Sequence, residues 1–172
     1  IQPKEVTRLT AGAMVDTDRM LITGGTPLMG ETRISGGKNT SVAVIPAILL
    51  GSEPCTIENL PDIEDVNALI AILRCLGARV TYEPGKFMTV DPRPAEGTHV
   101  SYLHTQRLRA SYYLLGALLG RCRKAEVAYP GGCELGSRPI DQHIKGLTAL
   151  GAEIEEQGGM LYAKCQKLKG AD

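Results

Sequence analysis

The stretch PGGCELGSRPIDQHI, Pro130 to Ile144, places a thiol after two glycines, an arginine five residues on, and a helix start beyond it. A cysteine in a Gly-Gly loop is presented on flexible backbone, and Arg138 nearby favours its thiolate. The competing reading is a buried, inert cysteine, and cysteine is among the most buried residue types. A second candidate is SGGKNTS, Ser35 to Ser41. Glycines followed by Lys38 and Asn39 at a helix start offer backbone N–H groups and one cation to an anion such as phosphate. An ordinary turn with Asn39 as N-cap explains that pattern equally well. The G-x-x-x-x-G-K-[ST] spacing of a Walker loop is absent. Arg107, Arg109 and Arg138 form a third group, because guanidinium binds carboxylate and phosphate in a two-pronged geometry. Asp141 suits the first turn of a helix whatever its function, and His143 reads as a partly buried histidine. His99 and His104 show no partner pattern.

These residues are positioned by a repeat. AILLG, Ala47 to Gly51, matches GALLG, Gly116 to Gly120, and Leu60-Pro61 matches Tyr129-Pro130 at the same offset. LGARV, Leu76 to Val80, then matches LGAEI, Leu150 to Ile154, at an offset longer by five, so five residues enter the second copy after Pro130. A core cysteine needs no loop of its own, which favours a presented Cys133. By contrast Cys55, Cys75, Cys122 and Cys165 read as buried small hydrophobes.

Each copy predicts β-α-β-α-β-β. Strands are expected at Thr32 to Ser35 and Thr98 to Tyr102, before helices at Asn39 to Leu50 and Leu108 to Leu119. Short strands follow at Cys55 to Glu58 and Ala125 to Ala128. The second helices carry Val66, Leu69, Ile70, Leu73 and Leu76, mirrored by Ile140, Ile144, Leu147 and Leu150 at helical spacing. Gly77 and Gly151 fit left-handed helix stops. Strand pairs close the units at Ala78 to Tyr82 with Lys86 to Val90, and Ala152 to Glu156 with Met160 to Cys165. Pro46 inside the first helix predicts a kink or a lost backbone bond. His143 falls on the apolar position of Leu69. Arg107 falls on Lys38, so a basic group recurs at equivalent corners.

With 172 residues, 43% hydrophobic and 22% charged, and 19 basic against 19 acidic side chains, the chain reads as one ordinary globular core. The balance points to no nucleic-acid or membrane partner. No apolar run reaches the roughly 18 residues of a membrane span, and a cytoplasmic location is expected. Five widely spaced cysteines without a C-x-x-C pair read as free thiols, with no metal site. Residues 1 to 19 show no period and read as an extension or remnant, leaving residues 20 to 172 as two repeats of one domain.

SGGKNTS, LRAS at Leu108 to Ser111, PGGCELGSRPIDQHI and the two LGA helix ends together resemble the N-terminal part of the UDP-N-acetylglucosamine 1-carboxyvinyltransferase family. The resemblance runs over roughly residues 20 to 170. It implies an inside-out barrel of the enolpyruvyl transferase type, α/β in class, with two β-α-β-α-β-β units present and a third repeat and second domain absent. The implied activity moves the enolpyruvyl group of phosphoenolpyruvate to the 3-hydroxyl of UDP-N-acetylglucosamine, at the start of peptidoglycan synthesis, without metal or organic cofactor. Cys133 would then be the general acid and the target of fosfomycin. Lys38, Asn39 and Arg138 would hold phosphoenolpyruvate. Arg109, Arg138, Pro139, Ile140, Asp141 and Gln142 would hold the UDP-sugar, with His143 supporting the loop. A chain of this extent is expected to be inactive alone, with its exposed surface covered by a C-terminal portion or a second copy. The alternatives are a non-catalytic nucleotide-sugar module, or the shikimate-pathway enolpyruvyl transferase, against which the cysteine loop argues.

Overall fold

The computed structural model describes residues 25, 27, 29–105, 108–129 and 139–171. The chain divides into two units, Ile1–Arg33 and Ile34–Asp172, and the elements below belong to the second. Cys133, Arg138 and Arg107 lie outside the described residues, as do residues 1 to 19.

The first repeat begins with α1 (Lys38–Ala47), which tightens into a 3₁₀ turn at Ile48–Leu50 shortly after Pro46. Proline removes a backbone donor and crowds the preceding turn, so the helix changes pitch there. Next come β1 (Cys55–Glu58), α2 (Glu64–Cys75), β2 (Arg79–Glu83) and β3 (Phe87–Asp91). The second repeat has β4 (His99–Val100), α3 (Tyr102–Thr105), a 3₁₀ turn at Arg109–Tyr112, α4 (Tyr113–Cys122), β5 (Lys124–Ala128), α5 (Asp141–Ala149), β6 (Glu153–Gln157) and β7 (Met160–Lys164).

The duplication reappears in strand order. One sheet runs β1-β3-β2 with every pair antiparallel, and the other runs β4-β5-β7-β6, in which β4 alone is parallel to its neighbour. Gly77 and Gly151 both take the left-handed conformation, at φ 98° and 97°, one residue past the α2 and α5 caps. A side chain at Gly77 would also meet the Pro94 carbonyl oxygen at 2.9 Å.

The expected opening strand at Thr32 to Ser35 is absent; the segment is irregular and exposed. Thr98 to Tyr102 shortens to the two residues of β4, because Tyr102 already starts α3. In the second repeat Thr98 O accepts from Glu126 N–H at 2.7 Å and extends the β4-β5 pairing. At the corresponding corner of the first repeat, Gly36 N–H donates to Asn59 O at 3.1 Å, and no ladder forms.

The core is shared by both repeats. Ile45 and Leu49 of the first repeat, Leu69 and Leu73 of α2, Leu114, Leu115 and Leu118 of α4, and Met88, Val90, Val127 and Leu161 of the sheets are all buried in one cluster. Each such side chain contributes about 1.5–3 kcal/mol on burial. The helix α5 differs, since it has no buried residue, and Ile144, Leu147 and the following Leu150 are only half-buried. Arg121 of α4 ties the repeats together. Its guanidinium donates to the carbonyls of Leu49 (2.9 Å), Gly51 (3.1 Å), Ala95 (2.8 Å), Pro92 and Arg93 (3.2 Å), joining the end of the first helix to the inter-repeat segment. Among the described residues no helix is long and apolar enough to cross a membrane.

Candidate anion and nucleotide-sugar site

The geometry at the start of α1 is set by a close backbone approach. Gly36 passes so near Asn59 that an added Cβ would fall 2.2 Å from the Asn59 carbonyl oxygen, and only glycine fits. Asn59 is itself held in the left-handed region, φ 56°, with its N–H donating to Lys86 O at 2.9 Å. The N-cap is therefore Gly37, in extended conformation, and Asn39 lies inside the first turn rather than capping it. No side chain caps this helix, and its first turn holds no acid. Ser41 Oγ donates back to Gly37 O at 3.0 Å and leaves the first N–H groups uncapped. Uncapped N–H groups at a helix start, with the helix dipole behind them, favour an anion.

Lys38 and Asn39 are exposed at this turn. Lys38 Nζ pairs with Asp65 Oδ2 at 2.9 Å, their side chains 60% and 20% exposed. Asp65 stands in the first turn of α2. No pattern in the sequence signals this contact between distant positions, although an acid in a first turn is itself a common feature.

The second cluster opens α5. Pro139, Asp141 and Gln142 are exposed, and Gln142 Nε2 donates to Asp141 Oδ2 at 2.8 Å. Ile140, by contrast, is 1% exposed, so its side chain is part of the core. His143 is exposed rather than partly buried, although Leu69 at the matching repeat position is buried. The reason is the peripheral placement of α5. The imidazole rests instead against two tyrosines, with ring centroids 4.4 Å from Tyr112 and 6.2 Å from Tyr113. Burial, and then a hydrogen bond with Tyr113, raise the Tyr112 hydroxyl above its ordinary pKa. Arg109 begins the 3₁₀ turn that ends in Tyr112 and is half-buried. The structure thus joins Lys38 to Asp65, Asp141 to Gln142, and His143 to the tyrosines.

A family model described as EPSP synthase (3-phosphoshikimate 1-carboxyvinyltransferase) matches residues 22–172. The chain belongs to this family. Curated relatives named UDP-N-acetylglucosamine 1-carboxyvinyltransferase are similar over most of its length. One from Bacillus anthracis is 47% identical over 154 residues, 90% of this chain and 36% of the relative. One from Clostridium botulinum is 46% identical over 155 residues, 90% of this chain and 37% of the relative. The chain therefore spans just over a third of the length of these relatives. Among solved structures, the enolpyruvyl transferase NikO from Streptomyces tendae superposes with a TM-score of 0.72 at 28% identity, over 85% of this chain and 32% of that one. EPSP synthase from Acinetobacter baumannii shares the fold, with a TM-score of 0.60 at 21% identity over 82% of this chain and 33% of that one. The mixed α/β enolpyruvyl transferase fold is therefore the fold of this chain.

Three readings from the sequence change. Cys55 and Cys75 are exposed and Cys122 and Cys165 half-buried, so none of the four is a fully buried core filler. His99 does have a partner, since its Nδ1 lies 3.2 Å from Glu126 Oε2. His104 has two, Cys75 and Ser101. Among the described residues no group of three or more His, Cys, Asp or Glu could hold a metal.

Proposed function

We propose that this chain carries the cysteine-loop part of an enzyme that transfers the enolpyruvyl group from phosphoenolpyruvate to the 3-hydroxyl of UDP-N-acetylglucosamine. One observation carries the reading: an uncapped, acid-free start of α1 bearing Lys38, in a chain 47% identical to relatives of that name. Phosphoenolpyruvate brings a phosphate and a carboxylate, which require cations and N–H donors fixed in advance. Lys38 and Asn39 at α1, with Arg138, are the groups assigned to it. Asp65 holds Lys38 in place while the site is free. Because more than half of the lysine is exposed, that ion pair is worth only about 0–1 kcal/mol and yields to a dianion.

In the proposed reaction the Cys133 thiol gives its proton to the methylene carbon of phosphoenolpyruvate, and the sugar 3-hydroxyl oxygen adds to the adjacent carbon. The hydroxyl proton leaves to a general base. Loss of phosphate and of a methyl proton then restores the double bond in the product ether. Arg109, Arg138, Asp141 and Gln142 are the side chains assigned to the UDP-sugar; at Pro139 and Ile140 contact falls to the backbone, since the Ile140 side chain is buried. His143 supports the loop from its place on Tyr112.

The test is phosphate release by the intact protein with phosphoenolpyruvate and either UDP-N-acetylglucosamine or shikimate 3-phosphate. Release with the UDP-sugar alone is expected. Release with shikimate 3-phosphate, or binding of the UDP-sugar without release, overturns the proposal in favour of one of the two alternatives.

A further inference from the structure

A second constellation of reactive side chains lies apart from the anion site, at the seam between α2 and α3. Cys75 is the last residue of α2 and is exposed. Its Sγ lies 3.5 Å from Nε2 of His104 in α3, and the other ring nitrogen, Nδ1, lies 3.0 Å from Ser101 Oγ. His104 and Ser101 are both half-buried. The three side chains therefore stand in the order thiol, imidazole, hydroxyl, with the thiol at the end of α2 and the other two at the start of the second repeat.

The order matters because it accommodates the tautomer in which Nε2 carries the lone pair. A serine hydroxyl accepts as well as donates, so Nδ1–H donating to Ser101 Oγ leaves the lone pair of Nε2 facing the Cys75 S–H. A base held in that way beside a nucleophile, and itself held by a third group, is the arrangement that activates a sulfur. Cys55 supplies the internal contrast. It too is exposed, on β1, and its side chain makes no hydrogen bond among the described residues.

We propose that Cys75 is a modification site that takes low-molecular-weight disulfides, with His104 as its base and Ser101 as the residue that positions His104. In the exchange the Cys75 S–H proton passes to His104 Nε2 as the sulfur attacks one sulfur of the disulfide. A new S–S bond forms at Cys75 while the bond in the reagent breaks. The departing sulfur leaves as thiolate and takes the proton from the imidazolium. The Cys75 sulfur is oxidised and the departing sulfur reduced, so the disulfide is the only co-reactant. This chemistry is independent of Cys133 and of the enolpyruvyl reaction.

The intact protein is treated with cystamine, quenched by acid, digested without reductant, and each cysteine peptide followed by mass spectrometry. Cys75 is expected to gain the cysteamine adduct at least about tenfold faster than Cys55, as a positioned base allows. His104→Gln is expected to bring Cys75 down to the rate of Cys55, and Ser101→Ala to bring it part of the way. Iodoacetamide, which needs only the nucleophile, should rank the same cysteines in the same order. Each variant is measured at a temperature where circular dichroism shows it folded. Equal rates for Cys75 and Cys55 in the unaltered protein overturn the proposal, and so does a Cys75 rate unchanged in folded His104→Gln. If only the serine variant is unaffected, the positioning role of Ser101 is refuted.

Discussion

Replacing Gly36 by alanine tests how the anion site is built, because the neighbouring Gly37 provides a control one residue away. An alanine Cβ at position 36 would sit 2.2 Å from the Asn59 carbonyl oxygen and 3.3 Å from its carbon. The obstacle is backbone, fixed by the left-handed Asn59, its bond to Lys86 and the buried Leu60 beside it. Relief therefore requires the SGGKN segment to move by about 1 Å, the shortfall from ordinary contact, breaking the Gly36 N–H bond to Asn59. Overpacking of this kind costs about 1–3 kcal/mol and the lost bond about 1 kcal/mol more. A total of about 2–4 kcal/mol is expected if the segment stays docked. If it swings out instead, stability is spared and Lys38 and the α1 N–H groups lose their placement. At Gly37 the added Cβ meets only Thr40 Oγ1, at 3.5 Å, and φ is an ordinary −74°. Gly37→Ala should remain within about 1 kcal/mol of the parent. Urea midpoints and phosphoenolpyruvate binding by calorimetry, measured on both variants, separate the two outcomes. Matching effects of Gly36→Ala and Gly37→Ala on both stability and anion affinity would refute a site built on the Gly36–Asn59 approach.

Three further outcomes follow from contacts in the fold and the site. Arg121→Met removes the guanidinium from its five carbonyl acceptors, in a partly exposed setting, and should lower stability by about 2–3 kcal/mol in urea denaturation; a change below about 0.5 kcal/mol would show the acceptors are as well satisfied by water. Asp65→Asn should change phosphoenolpyruvate affinity by less than about fivefold while Lys38→Met weakens it by more than about tenfold, because the ion pair is exposed and the lysine is the cation itself. Equal effects of the two variants would contradict that ranking. The Glu126 carboxyl is held below its usual pKa of 4.5, first by the Lys124 ammonium and then by His99. A depressed carboxylate adds stability that is present above the ordinary value and lost as pH falls through the folded one. The stability difference between parent and Glu126→Gln should therefore narrow from about pH 7 to about pH 3 in urea titrations, and a gap that does not narrow removes the assignment.

The repeat was the most legible part of this protein because it rests on backbone necessity. Gly77 and Gly151 had to be left-handed stops, and the apolar rows of α2 face a core that no other packing provides. The strand expected at Thr32 to Ser35 does not form because β-branched residues indicate willingness to pair, while pairing needs a partner edge. At that corner Gly36 gives its one N–H to Asn59 and the chain turns directly into α1. His143 is exposed for a related reason: repeat position predicts burial only where the neighbours also repeat, and α5 is peripheral. The contacts Lys38–Asp65 and Cys75–His104–Ser101 were not legible at all, since polar side chains on different elements carry no period.

The central claim is that Cys133 is the proton donor of an enolpyruvyl transfer, and the Cys133→Ser variant of the intact protein tests it most directly. Phosphate release from phosphoenolpyruvate in the presence of UDP-N-acetylglucosamine should fall by at least about 100-fold, while the melting temperature and UDP-sugar binding stay at parental values. Undiminished phosphate release from Cys133→Ser would contradict the account.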